Sequence, residues 1–180
     1  NGTASNSSPH ADSRSMAFDA QGNIVQGDDG GIYKRVSPDS TAGDWVSLNS
    51  NASMTEFHAI AWDRNAQVVL GGTQDTGTTE QEGTGTFTWR QVAQGDGGKV
   101  SIDDLGTPSV RYSSFQNLGG FIRRTVNSLN VVTNTTSPAM TSGGTRITTI
   151  DAAQFYSPVR CNAVARNRIM VLTNTRVWES

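Results

Sequence analysis

The stretch "SMAFDAQGNIVQGDDGGIYKR", residues 15–35, decides the fold. It opens with a short alternating apolar run that ends at Asp19. A turn follows, then the β-rich run "NIVQG". A Gly/Asp turn, "GDDGG", leads into a third run with an aromatic centre, "GIYKRV". Period-two alternation broken by Gly, Asp and Asn marks short strands joined by tight turns. "GDDGG" itself admits four readings: a metal site, a phosphate cradle, a catalytic dyad or a turn.

The same grammar recurs three times in the rest of the chain. Residues 59–78 read "AIAWDRNAQVVLGGTQDTGT", residues 99–124 "KVSIDDLGTPSVRYSSFQNLGGFIRR", and residues 162–180 "NAVARNRIMVLTNTRVWES". Asp19, Asp63 and Asp103 recur at a spacing of about 40 to 45 residues, and Arg166 takes the matching place in the fourth unit. The third unit is longer, so residues 127–145 are read as an insertion. Fourth strands are placed at "GDWVSL", "FTWRQV" and "RITTID", the last being residues 146–151. Four short strands per repeat, at this period, predict an all-β chain of β-propeller blades. The blades span residues 14–48, 57–92, 99–152 and 159–180, the last incomplete. With about three and three-quarter blades, the chain is expected to need further blades or other copies of itself. A lone four-stranded sheet leaves an apolar face wet, so repeats must stack.

Composition narrows the function classes. Of 180 residues, 34% are hydrophobic and 17% charged, with 19 glycines and net charge −2. Lysine occurs only at Lys34 and Lys99. Scattered cations give no footprint for nucleic acid, which is excluded as a partner. No apolar run is long enough for a membrane span. The single cysteine, Cys161, precludes an internal disulfide. A polar, lysine-poor surface points to an extracellular or cell-surface setting.

The repeats resemble the bacterial-neuraminidase (BNR, or Asp-box) propellers, whose motif S-x-D-x-G-x-T-W joins the third and fourth strands of a blade. Here "SPDSTAGDW" supplies Ser37, Asp39, Gly43 and Trp45, with two extra residues before the glycine and Asp44 in place of Thr. The second unit keeps only "TFTW". The phrases "PHADSRSMAFD", "GDDGGIYKR", "GGTQDTGT" and "QGDGG" are similar to uncharacterised BNR-like repeats of large exported bacterial, notably cyanobacterial, proteins. The resemblance implies a propeller. It implies no one activity, because the fold hosts many.

Candidate sites follow from the repeat. Asp28 and Asp29 align with Gln74 and Asp75, with Gln116 and Asn117, and with Asn174, so a shared Asx-type turn explains them. Asp28 and Asp29 would be the calcium ligands if a metal were held; no other cofactor is expected. The spacing of an EF-hand or a P-loop is missing. His10, Asp12 and Arg14 alternate, so in a strand they share one face and form a ligand patch or an ion-paired strand entry. A glycosidase carboxylate pair would come from different blades, and Asp12, Asp28, Asp75 and Asp96 are the candidates for it. Glu56 and His58 form an acid–base couple, or His58 is a satisfied structural histidine. Trp45, Trp62 and Trp89 are read as core, and Cys161 as buried and inert.

The sialidase constellation is absent: "FIRR" lacks the F/Y-R-I-P phrase, and no Tyr/Glu pair is evident. The reading is a non-enzymatic binding or structural module, with a glycan or a surface protein as partner and residues 127–145 as the contact loop. The alternatives are a fragment of a glycoside hydrolase and a self-assembling structural subunit.

Overall fold

The computed structural model describes residues 2–180. Among the described residues it has 17 strands in five antiparallel sheets, with a four-residue helix and one 3₁₀ turn. The chain divides into two compact units, Asn1–Glu56 and Phe57–Ser180.

The first unit is one four-stranded meander: β1 (Ser15–Phe18), β2 (Ile24–Asp28), β3 (Gly31–Arg35) and β4 (Trp45–Ser47). Its turns are written in acidic and amide side chains. Asp19 Oδ1 accepts the backbone N–H groups of Gln21 and Asn23, both at 2.9 Å. Between β3 and β4 lies the Asp-box-like loop. Val36 N–H donates to the Asp44 carbonyl at 3.0 Å, and the Arg35 guanidinium donates to Ser40 O at 2.8 Å. Asp39 is exposed. Asp44, the departure from the motif, has its own task. Its carboxylate accepts Ser5 N–H at 2.9 Å and the hydroxyls of Ser5 and Ser7 at 2.6 and 2.8 Å. These bonds tie the strandless start of the chain to the loop.

The second unit holds sheets of its own. One sheet is β5 (Phe57–Asp63), β6 (Val68–Thr73), β7 (Gly77–Gln81) and β8 (Trp89–Ala93). The next is β9 (Ser101–Asp103), β10 (Ser109–Phe115), β11 (Gly119–Val126) and β12 (Val132–Thr136). A small hairpin, β13 (Thr141–Ser142) and β14 (Thr145–Arg146), and helix α1 (Ile147–Ile150) lead to a three-stranded sheet. That sheet is β15 (Val159–Cys161), β16 (Ile169–Leu172) and β17 (Val177–Glu179). β9 lies beside β5 and also beside β15, so first strands neighbour first strands.

Two sequence expectations are corrected here. The fourth strand of the β9–β12 sheet is Val132–Thr136, inside the stretch read as an insertion, and not residues 146–151. Asn127 is the cause. Its Oδ1 accepts the N–H groups of Leu129 and Val131, both at 3.0 Å, and Asn130 takes φ 61°. The chain therefore turns back at once, and threonine-rich β12 pairs with β11. Ile147 instead opens α1, and its side chain is buried in the apolar core. The second correction concerns Arg166. Asn162, directly after β15, is the fourth unit's counterpart of the repeating Asp: its Oδ1 accepts the N–H groups of Val164 and Ala165, both at 2.9 Å.

Strand β10 is buried on both faces, and the two faces differ in chemistry. Val110 and Tyr112 point into an apolar cluster with Leu118, Phe121, Ile147, Val159 and Val171. Ser109 and Arg111 point the other way, toward the β5–β8 sheet. Arg111 is fully buried between two carboxylates: Nη2 is 2.7 Å from Asp63 Oδ2 and Nη1 is 3.0 Å from Glu80 Oε2. Arg124 and Arg90 also reach Glu80, at 3.0 and 2.5 Å. Burial favours the neutral form of Glu80, but Arg124, Arg90 and Arg111 outweigh it and hold the carboxyl below its ordinary range.

Truncating Arg111→Ala leaves Asp63 and Glu80 charged and buried without their bridge. Urea unfolding is expected to show a loss of about 3–5 kcal/mol. Hydrogen bonds from Ser5, then Ser7, hold Asp44 well below the ordinary carboxylate value, to about 2. A depressed folded value stabilises above the unfolded value of 3.8 and is lost as pH falls through the folded one. Protection of the Ser5 amide relative to the free amide should accordingly hold down to pH 4 and fall toward pH 2, and Asp44→Asn should lower that protection at neutral pH.

Candidate functional site

"GDDGG" is a turn. Asp28 Oδ1 accepts Gly30 N–H at 3.0 Å, closing an Asx-turn between β2 and β3. Gly31 follows at φ 126°, a value L side chains avoid. Asn49 clamps the same turn, donating to Gly30 O and accepting from Ile32 N–H, both at 2.8 Å. The corresponding turns of the second unit place Asp75 at φ 57° and Asn117 at φ 59°. Asp and Asn at these positions answer to backbone geometry.

The His10/Asp12/Arg14 patch is not built as expected. These residues precede β1, and Asp12 sits at φ 56°, which breaks the alternation a strand requires. His10 Nδ1 instead lies 2.7 Å from Asp29 Oδ1. Arg14 Nε donates to Glu56 at 2.9 Å. Glu56 is thus engaged by Arg14. His58 Nδ1 is 2.9 Å from Gly97 O, and Nε2 is 2.9 Å from Gln74 Oε1.

In the second unit the expected residues do converge. Asp75 N–H donates to Asp96 Oδ1 at 3.1 Å, and Asp96 N–H donates to Gln116 Oε1 at 3.1 Å. Asn117 N–H donates to Phe155 O at 2.9 Å. Tyr156 lies over the His58 ring, with centroids 3.8 Å apart, and its hydroxyl is 3.3 Å from Gln74 Oε1. These bonds lace loops of successive sheets together at one end of the strands.

A second location arises from the first strands. β5, β9 and β15 leave an open recess of about 490 Å³. Alternation sorts its walls: Ile60 and Trp62 from β5, Ile102 from β9 and Arg160 from β15 face the opening, while Asp63, Ser101 and Val159 turn inward and are buried. Trp62, read as core, is 52% exposed here. Its strand neighbours carry the burial instead. Trp89 is also partly exposed and packs on Phe57, with ring centroids 5.6 Å apart.

Both carboxylates beside the recess are committed. Arg64 grips Asp104 through Nε and Nη2, at 2.9 and 2.8 Å, and its backbone N–H donates to the same group at 3.0 Å. The hydrogen bond from Arg64 leads in holding Asp104 below its ordinary range. Asp103 is buried, accepting Leu105 N–H at 3.2 Å and Asn167 N–H at 2.6 Å. Cys161 is half-buried, and burial pushes its thiol up to about 11, so it is protonated and inert.

Sequence reasoning missed Trp62 and Arg160 as recess residues. The available signal was their even-numbered place in first strands, legible only once β5, β9 and β15 are neighbours. No family model, curated protein or solved structure matches the chain.

The His10–Asp29 contact can be read directly. The hydrogen bond that His10 donates to the Asp29 carboxylate raises His10 above its ordinary 6.5. A raised value stabilises fully below the unfolded value and is lost as pH rises through the folded one. Proton NMR should show His10 titrating above 6.5, and Asp29→Asn should return it toward 6.5.

Proposed function

We propose that this chain is a segment of a BNR-like β-propeller serving as a non-enzymatic binding module of an exported or surface protein, with a small glycan in the first-strand recess. Three sheets whose first strands run side by side support the propeller reading. The single observation that carries the function is exposed Trp62 in a recess of about 490 Å³. That volume suits a small ligand. An exposed indole beside Ile60 offers a flat apolar platform, and the nearby Arg64–Asp104 pair offers polar edges. Both features match the two faces of a sugar ring.

The hydrolase alternative has less support. Glycosidic cleavage by paired carboxylates needs an acid and a nucleophile or base facing the substrate. Asp103 and Asp104 are engaged by backbone N–H groups and by Arg64.

A glycan array followed by calorimetry tests the proposal. Bound sugars should be recovered intact, and Trp62→Ala should weaken binding about tenfold or more while the fold persists. Turnover of the bound sugar, or affinity unchanged in Trp62→Ala, would overturn it.

A further inference from the structure

A smaller hollow of about 250 Å³ shares Ile60 and Arg160 with the recess, and its walls also include His58, Lys99 and Pro158. No carboxylate lines this hollow. Two cations do. Arg160 is exposed on β15 and forms no ion pair among the described residues. Lys99 is half-buried, and its ammonium donates to His58 O at 2.6 Å. That leaves further N–H donors on Lys99, and all of the guanidinium donors on Arg160. In a chain of net charge −2 with only two lysines, this is an uncompensated positive hollow. The acids of the adjoining recess face elsewhere: Asp104 is paired with Arg64, and Asp103 is buried and accepts the N–H groups of Leu105 and Asn167.

Building on the glycan reading above, we infer that the recess takes a saccharide bearing a sulfate or phosphate monoester, with Arg160 and Lys99 holding the anion while Ile60 and Trp62 carry the ring. The choice of a tetrahedral monoester follows from the cations' placement. They come from different chain segments, β15 and the approach to β9. Two cations on separate walls suit an anion with three terminal oxygens, where the guanidinium fork takes two and the ammonium acts as a point charge. Half-burial of Lys99 reduces solvent screening of its charge.

Calorimetry on the full chain with galactose, galactose 6-sulfate, galactose 6-phosphate and inorganic sulfate tests this. The esters should bind about tenfold or more tighter than galactose, with the advantage shrinking as salt rises. Arg160→Gln and Lys99→Gln should each remove most of that advantage. The tighter of the two esters identifies the anion. Equal affinity for galactose and its esters, with Trp62→Ala still weakening galactose, overturns the anion assignment and spares the glycan reading. Inorganic sulfate bound in an Arg160-dependent way, with no saccharide bound, supports the anion hold and overturns the glycan reading. Binding of none of the four overturns both.

Discussion

The docking of the β5–β8 sheet on the β9–β12 sheet rests on one buried guanidinium. Arg111 is fully enclosed and joins Asp63 at the end of β5, Glu80 on β7, and Asn130 in the turn before β12. A charge without water needs matching charges and directed hydrogen bonds. Arg111 finds them only when the β5–β8 and β9–β12 sheets sit in one register. Asp63 has a second duty, capping its own turn through the N–H groups of Asn65 and Ala66 at 3.0 and 3.2 Å. One residue thus couples a local turn to the docking of two sheets.

The other side of β10 shows the contrasting solution. There the sheets meet through Tyr112, Phe121, Val159 and Val171, an apolar interface that tolerates small adjustments. The polar interface is the geometrically demanding one. It aligns β5 with β9, and the apolar one brings β15 alongside. The recess proposed for the ligand is the product of both, since its walls come from all three first strands.

Much of this was legible in the chain. The repeat of apolar run, Asp, turn and β-rich run located nearly all the first, second and third strands, because alternation and turn chemistry are local. Reading "GDDGG" against "TQDTG" and "FQNLGG" also gave the correct chemistry for Asp28, Asp75 and Asn117, since an Asx-turn or a left-handed φ is set within a few residues. Strand β7, "GTTEQ", escaped notice because a strand whose buried side chain is Glu80 carries no apolar signal. Residues 127–145 misled because threonine-rich sequence reads as loop as easily as edge strand, and Asn127's turn decides between them. His10, Asp12 and Arg14 failed as a face because a single left-handed residue resets the alternation.

Short antiparallel strands and the side chains that shape their turns follow from period-two alternation and from bonds spanning a few residues, so both could be read before any sheet was assembled. Tertiary structure alone decided that Arg111 and Glu80 are interior, that Trp62 is exposed, and that Arg160 and Lys99 share a hollow. Each of those facts concerns residues far apart in the chain, and which face of a strand is buried depends on which sheet arrives to cover it.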